Sequence, residues 1–123
     1  MAQQPDILIL DRPIARDQFE RLVRDGFGDM VKYVVDVERE VIAIGGQLHA
    51  DAEAVLLESG SRQEDLWGAN YYPETSAVAC IEFTSLINIR PAQSNPGMEI
   101  ASAEIRDRVR ELTHRLIGRG EAL

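Results

Sequence analysis

One histidine and two acidic residues stand close together in the stretch GGQLHADAEAVLLESG, residues 45–60. His49 is followed by Asp51 and Glu53 at positions +2 and +4. In a helix, His49 and Glu53 would lie one turn apart and share a face. Imidazole and carboxylate groups bind Zn²⁺, Mn²⁺ or Fe²⁺, so a divalent metal is the candidate cofactor. The alternative is structural: both acids would begin a helix, where its dipole favours negative charge, and Asp51 or His49 would cap it.

A second set of candidate residues lies in the segment Val78–Arg90, where apolar and polar residues alternate. The alternation places four polar side chains on one side of a strand: Glu82, Thr84, Asn88 and Arg90. The Arg90 guanidinium is suited to binding a carboxylate or phosphate through two hydrogen bonds, and Asn88 would orient that ligand. The alternative is that Glu82 and Arg90 pair with neighbours across the sheet.

Trp67, the only tryptophan, stands next to Gly68. Its ring would either stack on a ligand or anchor the core, and a core role is the commoner one. The candidate ligand-binding residues are therefore His49, Trp67, Asn88 and Arg90. Cys80 lies in an apolar run with no histidine near it in sequence, and a thiol in apolar surroundings is inert. The nucleophile elbow, the P-loop and the dinucleotide fingerprint are all missing from the sequence.

Periodicity along the chain predicts the elements that position these residues. Seven of the fifteen residues from Met30 to Ile44 are Val or Ile, which favours a β-hairpin with its turn at residues 38–40. We predict an α+β fold with the order β-α-β-β-α-β-β-α. It has a mainly antiparallel sheet of about four to five strands, with about three helices packed on one face. The predicted strands are Ile7–Leu10, the two hairpin strands, Leu66–Tyr72 and Val78–Arg90; the predicted helices are Ile14–Arg24, Leu48–Glu58 and a final helix capped by Ser102.

The bulk composition indicates one soluble domain over residues 1–123, with 45% hydrophobic and 28% charged residues. A single cysteine and an N-terminus without a signal-peptide pattern favour the cytoplasm. No apolar run approaches the ~18 residues that a membrane span requires, so no membrane association is expected.

The net charge of −8 is concentrated in an acidic segment, residues 36–65, which carries eight acids against Arg39 and Arg62. Phosphate backbones are repelled by such a segment, so the charge disfavours nucleic acid as a partner. The exception is the final helix, which is locally basic through Arg106, Arg108, Arg110, Arg115 and Arg119.

Three stretches carry a resemblance to a known family: Leu-His-Ala-Asp-Ala-Glu at 48–53, Gln-Glu-Asp-Leu-Trp-Gly at 63–68 and Ile-Asn-Ile-Arg-Pro at 87–91. From Leu10 to about Arg110 the chain resembles a family of small prokaryotic proteins catalogued only as a domain of unknown function. The resemblance implies no activity, cofactor or catalytic residue.

Two functions follow from these observations. The first is a binding or assembly domain that forms a homo-oligomer, in the simplest case a homodimer, through an open sheet edge, with an unidentified small-molecule ligand. The alternative is a small, metal-dependent hydrolase that uses His49, Asp51, Glu53 and Arg90.

Overall fold

The computed structural model describes residues 7–122. Most of the segment on which the signal-peptide prediction rests lies outside this range. Within it, five strands form one antiparallel sheet, and the predicted α+β class and element order are confirmed. No helix in the described range is both long and apolar enough to span a bilayer. The strands are β1 (Leu8–Leu10), β2 (Val31–Asp36), β3 (Val41–Ile44), β4 (Leu66–Tyr71) and β5 (Ile81–Glu82); the helices are α1 (Arg16–Asp25), α2 (His49–Glu58) and α3 (Ala103–Leu116).

The predicted hairpin forms the centre of the sheet, whose strand order is β1-β3-β2-β4-β5. Its turn is closed by Asp36, a fully buried carboxylate that ends β2. Oδ1 of Asp36 accepts hydrogen bonds from the backbone N–H groups of Glu38 and Arg39, each at 2.9 Å. The Ser61 hydroxyl donates to Oδ2 at 2.6 Å. Asp36 is thus fully hydrogen-bonded, which is what allows a carboxylate to occupy a buried position.

Helices cover both faces of the sheet, so the prediction that they pack on one face is wrong. Helix α2 packs on one face, where Leu56 contacts a cluster that includes Val34. Helices α1 and α3 pack on the other face, where Val35 points. Adjacent strand residues face opposite sides of a sheet, and Val34 and Val35 are both fully buried, so β2 requires cover on both sides.

The predicted long strand at Val78–Arg90 is also wrong, because only Ile81–Glu82 pairs with β4. Ser85 ends the extended conformation: its hydroxyl accepts a hydrogen bond from the Ile87 backbone N–H at 3.2 Å, which starts a 3₁₀ turn at Leu86–Asn88. Thr84 makes an isolated bridge with Glu99 instead of continuing β5. A regular alternation of residues therefore did not produce a regular strand.

Helix α3 begins as predicted, with the Ser102 hydroxyl accepting a hydrogen bond from the Ile105 backbone N–H at 3.2 Å. Its arginines reach the β2–β3 turn. Both Arg108 and Arg115 donate to the carboxylate of Glu40, the second at 3.0 Å. These two hydrogen bonds hold the pKa of Glu40 below its ordinary value, and the bond from Arg108 has the larger effect. The turn and α3 are therefore joined by charged contacts across the face that α3 covers.

The close approach of β4 to the 3₁₀ turn gives a prediction. A Cβ placed on Gly68 would lie 2.7 Å from the Cβ of Ser85, so Gly68→Ala should lower the free energy of unfolding by about 1–3 kcal/mol through overpacking. Urea denaturation measures the change. Gly97→Ala is the matched control, because no described heavy atom beyond its chain neighbours lies within 4 Å of its added Cβ. Equal unfolding midpoints for the two variants would contradict the close contact.

Candidate functional site

Asn88 holds the backbone of β4. It is fully buried, and its Oδ1 accepts the Gly68 backbone N–H at 2.9 Å. Its Nδ2 donates to the Gly68 carbonyl at 3.0 Å and to the Met98 carbonyl at 3.1 Å. The side-chain amide thus replaces the neighbouring strand that β4 lacks at this position. Its hydrogen-bonding groups are used within the protein and not directed at a ligand.

Arg90 is likewise engaged with the backbone. Its guanidinium donates to the carbonyls of Ile87 at 3.0 Å, Gln63 at 2.9 Å and Leu66. The central carbon (Cζ) of the Arg90 guanidinium lies 4.7 Å from the centroid of the Trp67 ring, which is close enough for a cation–π contact. Burial lowers the pKa of Arg90, whose side chain is only 10% exposed. Arg90 fastens the segment that follows the 3₁₀ turn to the start of β4.

Trp67 is 2% exposed and belongs to the core cluster on the face covered by α1 and α3. Asn88 and Arg90 both hydrogen-bond to the backbone of β4, and the Arg90 guanidinium lies over the Trp67 ring. His49 is not part of this group, because its ring reaches the carbonyl of Ala69. The four candidate ligand-binding residues therefore occupy two separate places.

The three candidate metal ligands do not converge either. The Glu53 carboxylate accepts a hydrogen bond from Gln63 at 3.4 Å and lies 3.9 Å from the Arg90 guanidinium. Asp51 is in the first turn of α2, but the N-cap residue is Leu48, so the prediction that Asp51 or His49 caps this helix is wrong. Among residues 7–122, no group of three or more His, Cys, Asp or Glu side chains is arranged to hold a metal ion. Of the four residues that the hydrolase alternative requires, Glu53 and Arg90 meet as an ion pair, whereas the three candidate metal ligands form no metal-binding group.

His49 is held in one tautomer. Its Nε2 lies 2.8 Å from the Ala69 carbonyl oxygen, which can only accept, so Nε2 carries the proton and neutral His49 keeps a lone pair on Nδ1. Burial lowers the pKa of His49 below its ordinary value, and the positive charge of Lys32 acts in the same direction. The imidazole is therefore biased towards its neutral form, with Nδ1 available as an acceptor.

A line of three polar side chains crosses the sheet on the face that α2 covers: Lys32 on β2, Asn70 on β4 and Glu82 on β5. We call these three residues the polar row. Lys32 is the cross-strand partner of Asn70, and Asn70 is the partner of Glu82. The Asn70 Nδ2 donates to Glu82 Oε1 at 2.8 Å, and the Tyr72 hydroxyl donates to the same oxygen at 3.0 Å. The His49 ring lies beside this row, because it is hydrogen-bonded to Ala69, the residue before Asn70, and the charges of Lys32 and Glu82 act on the pKa of His49.

The sequence predictions missed Lys32 and Asn70. Lys32 is the only lysine in the chain, although the chain has 13 basic residues. Asn70 is an asparagine inside a strand, where this residue type is disfavoured. Both signals are present in the sequence, but the register that places them side by side is a property of the folded sheet.

The arginines of the locally basic helix α3 are also used within the chain. Arg106 and Arg110 lie over the ring of Phe83, at 4.9 and 5.4 Å from its centroid. Arg108 and Arg115 contact Glu40. These contacts cover four of the five arginines from which a nucleic-acid surface would be built.

A family model with the description "Protein of unknown function (DUF5674)" matches residues 8–116. The chain belongs to this family. The match runs from the first residue of β1 to the last residue of α3, so DUF5674 corresponds to the whole sheet and all three helices. The expected resemblance to a family of unknown function is confirmed. No curated protein and no solved structure matches the chain.

The environment of His49 gives a prediction about pH. A histidine whose pKa is lowered by folding makes the unfolded state bind more protons between the folded pKa and the unfolded value of about 6.5. Stability is therefore expected to fall as the pH drops from about 6.5 towards the folded pKa, by no more than about 1.4 kcal/mol per pH unit for one proton. Urea denaturation at pH 7.5, 6.5 and 5.5 measures this slope.

His49→Gln should flatten the slope, because glutamine retains an N–H donor for Ala69 but does not titrate. The matched control for the loss of an imidazole is His114→Gln, which removes the other histidine of the chain. The wild type and the two variants contain the same carboxylates, so the titration of these groups cancels when the slopes of the three proteins are compared. A wild-type slope that survives in His49→Gln would show that another group causes it.

Proposed function

We propose that this member of the DUF5674 family is a cytoplasmic binding domain whose site is the polar row together with His49. The ligand class is a small anion that also carries hydroxyl groups, such as a hydroxycarboxylate or a phosphorylated polyol. The free and buried Cys80 is compatible with a reducing compartment.

The observation that carries this proposal is the unused acceptor of Asn70. This residue is 8% exposed, and its Oδ1 has no hydrogen-bond partner among the described residues. The amide orientation is fixed because Glu82 can only accept, so Nδ2 must face Glu82 and Oδ1 must face away from it. A buried acceptor without a partner costs about 1–3 kcal/mol. A hydroxyl group of a ligand would remove that cost.

The charges around Asn70 define the rest of the ligand. The Lys32 ammonium lies 5.2 Å from the centroid of the Phe27 ring, and no carboxylate of residues 7–122 lies within 4.0 Å of it. Its charge is therefore balanced by no ion pair and can bind an anionic group. Glu82 already accepts hydrogen bonds from Asn70 and Tyr72, and the Nδ1 atom of His49 is a further acceptor. A ligand that combines an anionic group with a hydroxyl group would offer a partner both to the Lys32 ammonium and to the Asn70 acceptor.

The test uses lactate, malate and glycerol 3-phosphate as probes in NMR titrations. Selective ¹⁵N-lysine labelling gives a single backbone resonance, because Lys32 is the only lysine. At least one probe should shift this resonance and the amides of Asn70 and Glu82. Lys32→Gln and Asn70→Ala should each weaken binding by about tenfold, the loss of one charge-assisted or one buried hydrogen bond.

Arg62→Gln is the control for the change in net charge. Arg62 is exposed and pairs with Glu64, so its loss should leave the affinity within about twofold. Binding that is unchanged in both Lys32→Gln and Asn70→Ala would place the ligand elsewhere and contradict the proposal.

A second candidate function, homodimerisation, is favoured by the outer edge of β1. Within the described chain β1 pairs only with β3, and its Ile9 is 44% exposed. An open edge with an apolar side chain is a template for pairing with another strand. Two copies would pair their β1 strands in antiparallel orientation around a two-fold axis.

Light scattering over a concentration series tests this assembly. The mass should approach that of two chains at high concentration, and Ile9→Lys should shift the equilibrium towards the monomer because a charge is placed on the edge strand. Val78→Lys is the matched control, since Val78 is 88% exposed and lies outside every strand. A monomeric mass at every concentration would exclude the dimer.

A further inference from the structure

A cavity of about 340 Å³ lies between α1, the start of β2 and the loop that follows β3. Its volume is within the range of small-molecule sites, roughly 300–1,000 Å³. None of the polar-row residues lines it, and neither does His49. It is therefore a second candidate site, which we call the α1 cavity and define by Leu8, Leu22, Phe27, Val31, Arg21 and Asp25. It adjoins the polar row at Phe27, whose ring centroid lies 5.2 Å from the Lys32 ammonium.

The apolar part of the α1 cavity has an incompletely covered aromatic ring. Leu8, Leu22 and Val31 supply aliphatic surface from β1, α1 and β2. Phe27, in the loop after α1, is 45% exposed although it lies beside these residues. A hydrocarbon group in the cavity would cover this ring and gain about 25 cal/mol for each Å² of apolar surface removed from water.

The polar part of the α1 cavity has one charge of each sign. Arg21 and Asp25 are four residues apart in α1 and so occupy the same side of the helix. Each has an exposed ion pair on the helix surface: Arg21 with Asp17 at 3.4 Å, and Asp25 with Arg24 at 3.2 Å. Exposed pairs of this kind contribute about 0–1 kcal/mol, so both charges can be redirected to a ligand at little cost.

From these features we infer that the α1 cavity binds a small zwitterion with an apolar body, the chemistry of an apolar α-amino acid. The carboxylate binds Arg21, whose guanidinium can donate two parallel hydrogen bonds, and the ammonium group binds Asp25. The apolar side chain lies against Leu22 and Phe27.

Ligands with a single charge fit this cavity less well. A simple carboxylate gains Arg21 but is repelled by Asp25 and by the net charge of −8 on the protein. A simple amine gains Asp25 but is repelled by Arg21. A zwitterion leaves neither charge without a partner and adds no net charge.

Isothermal titration calorimetry with three probes of similar shape tests the inference. L-leucine carries both charges, 4-methylpentanoate lacks the ammonium group, and 3-methylbutylamine lacks the carboxylate. Leucine should bind at least about tenfold more tightly than either of the other two. In NMR titrations it should shift the backbone amides of Phe27, Gly45 and Gly46, which line the α1 cavity.

Two variants assign the two charges. Arg21→Gln and Asp25→Asn should each weaken leucine binding by about tenfold, since each removes one charged contact. The matched controls are Arg12→Gln and Asp11→Asn, which change the net charge in the same way at an exposed pair outside the α1 cavity. Both controls should leave the leucine affinity within about twofold. All four changes are at exposed positions, so each variant should remain folded, which thermal unfolding would test.

Three results would overturn the inference: 4-methylpentanoate binding as tightly as leucine, leucine binding that survives in both charge variants, or no saturable binding of leucine. Asn70→Ala separates this site from the polar row, because Asn70 does not line the α1 cavity. Leucine binding should be unaffected by Asn70→Ala, so either site can fail its test without the other.

Discussion

The structure depends on satisfying the backbone of β4 along its outer edge. Strand β5 pairs with only two residues of β4, yet every residue from Leu66 to Tyr71 is buried. Buried backbone N–H and C=O groups require partners, and no further strand among residues 7–122 supplies them here. Asn88 takes both polar groups of Gly68, and Arg90 takes the carbonyl of Leu66. The irregular segment after β5 brings these two side chains to the outer edge of β4.

This constraint explains which predictions succeeded. The hairpin and the three helices follow from local periodicity and from a cap such as Ser102, and those signals are contained in adjacent residues. The alternation from Ile81 to Ile89 satisfies the same local rule but fails, because a hydrogen bond from Ile87 to Ser85 and the burial of Asn88 outweigh it. The sequence also did not predict that both faces of β2 are covered. An aspartate such as Asp36 is normally expected at a solvent-facing position, but here it is buried.

The candidate site was predictable only in part. The sequence drew attention to His49 as a side chain without a structural explanation, but it did not identify the neighbours of His49 in the folded sheet. Lys32, Asn70 and Glu82 are 38 and 12 positions apart, and only the register of three strands makes them adjacent. In contrast, Asn88 and Arg90 attracted attention because of their chemistry, which the protein uses to hold its own backbone. Polar side chains suited to binding a ligand are equally suited to replacing a missing strand.

The contacts between Glu40 and helix α3 have a consequence for synthesis of the chain. Helix α3 follows all five strands in sequence, and it supplies Val109, Leu112 and Leu116 to the larger core cluster. On the ribosome, the sheet face that it covers remains open to water until α3 has emerged. During that interval the nascent chain exposes apolar strands, the condition under which chains associate with one another or with chaperones. The carboxylate of Glu40 lies in the hairpin turn, which precedes α3 in sequence, and it accepts hydrogen bonds from two arginines of that last helix.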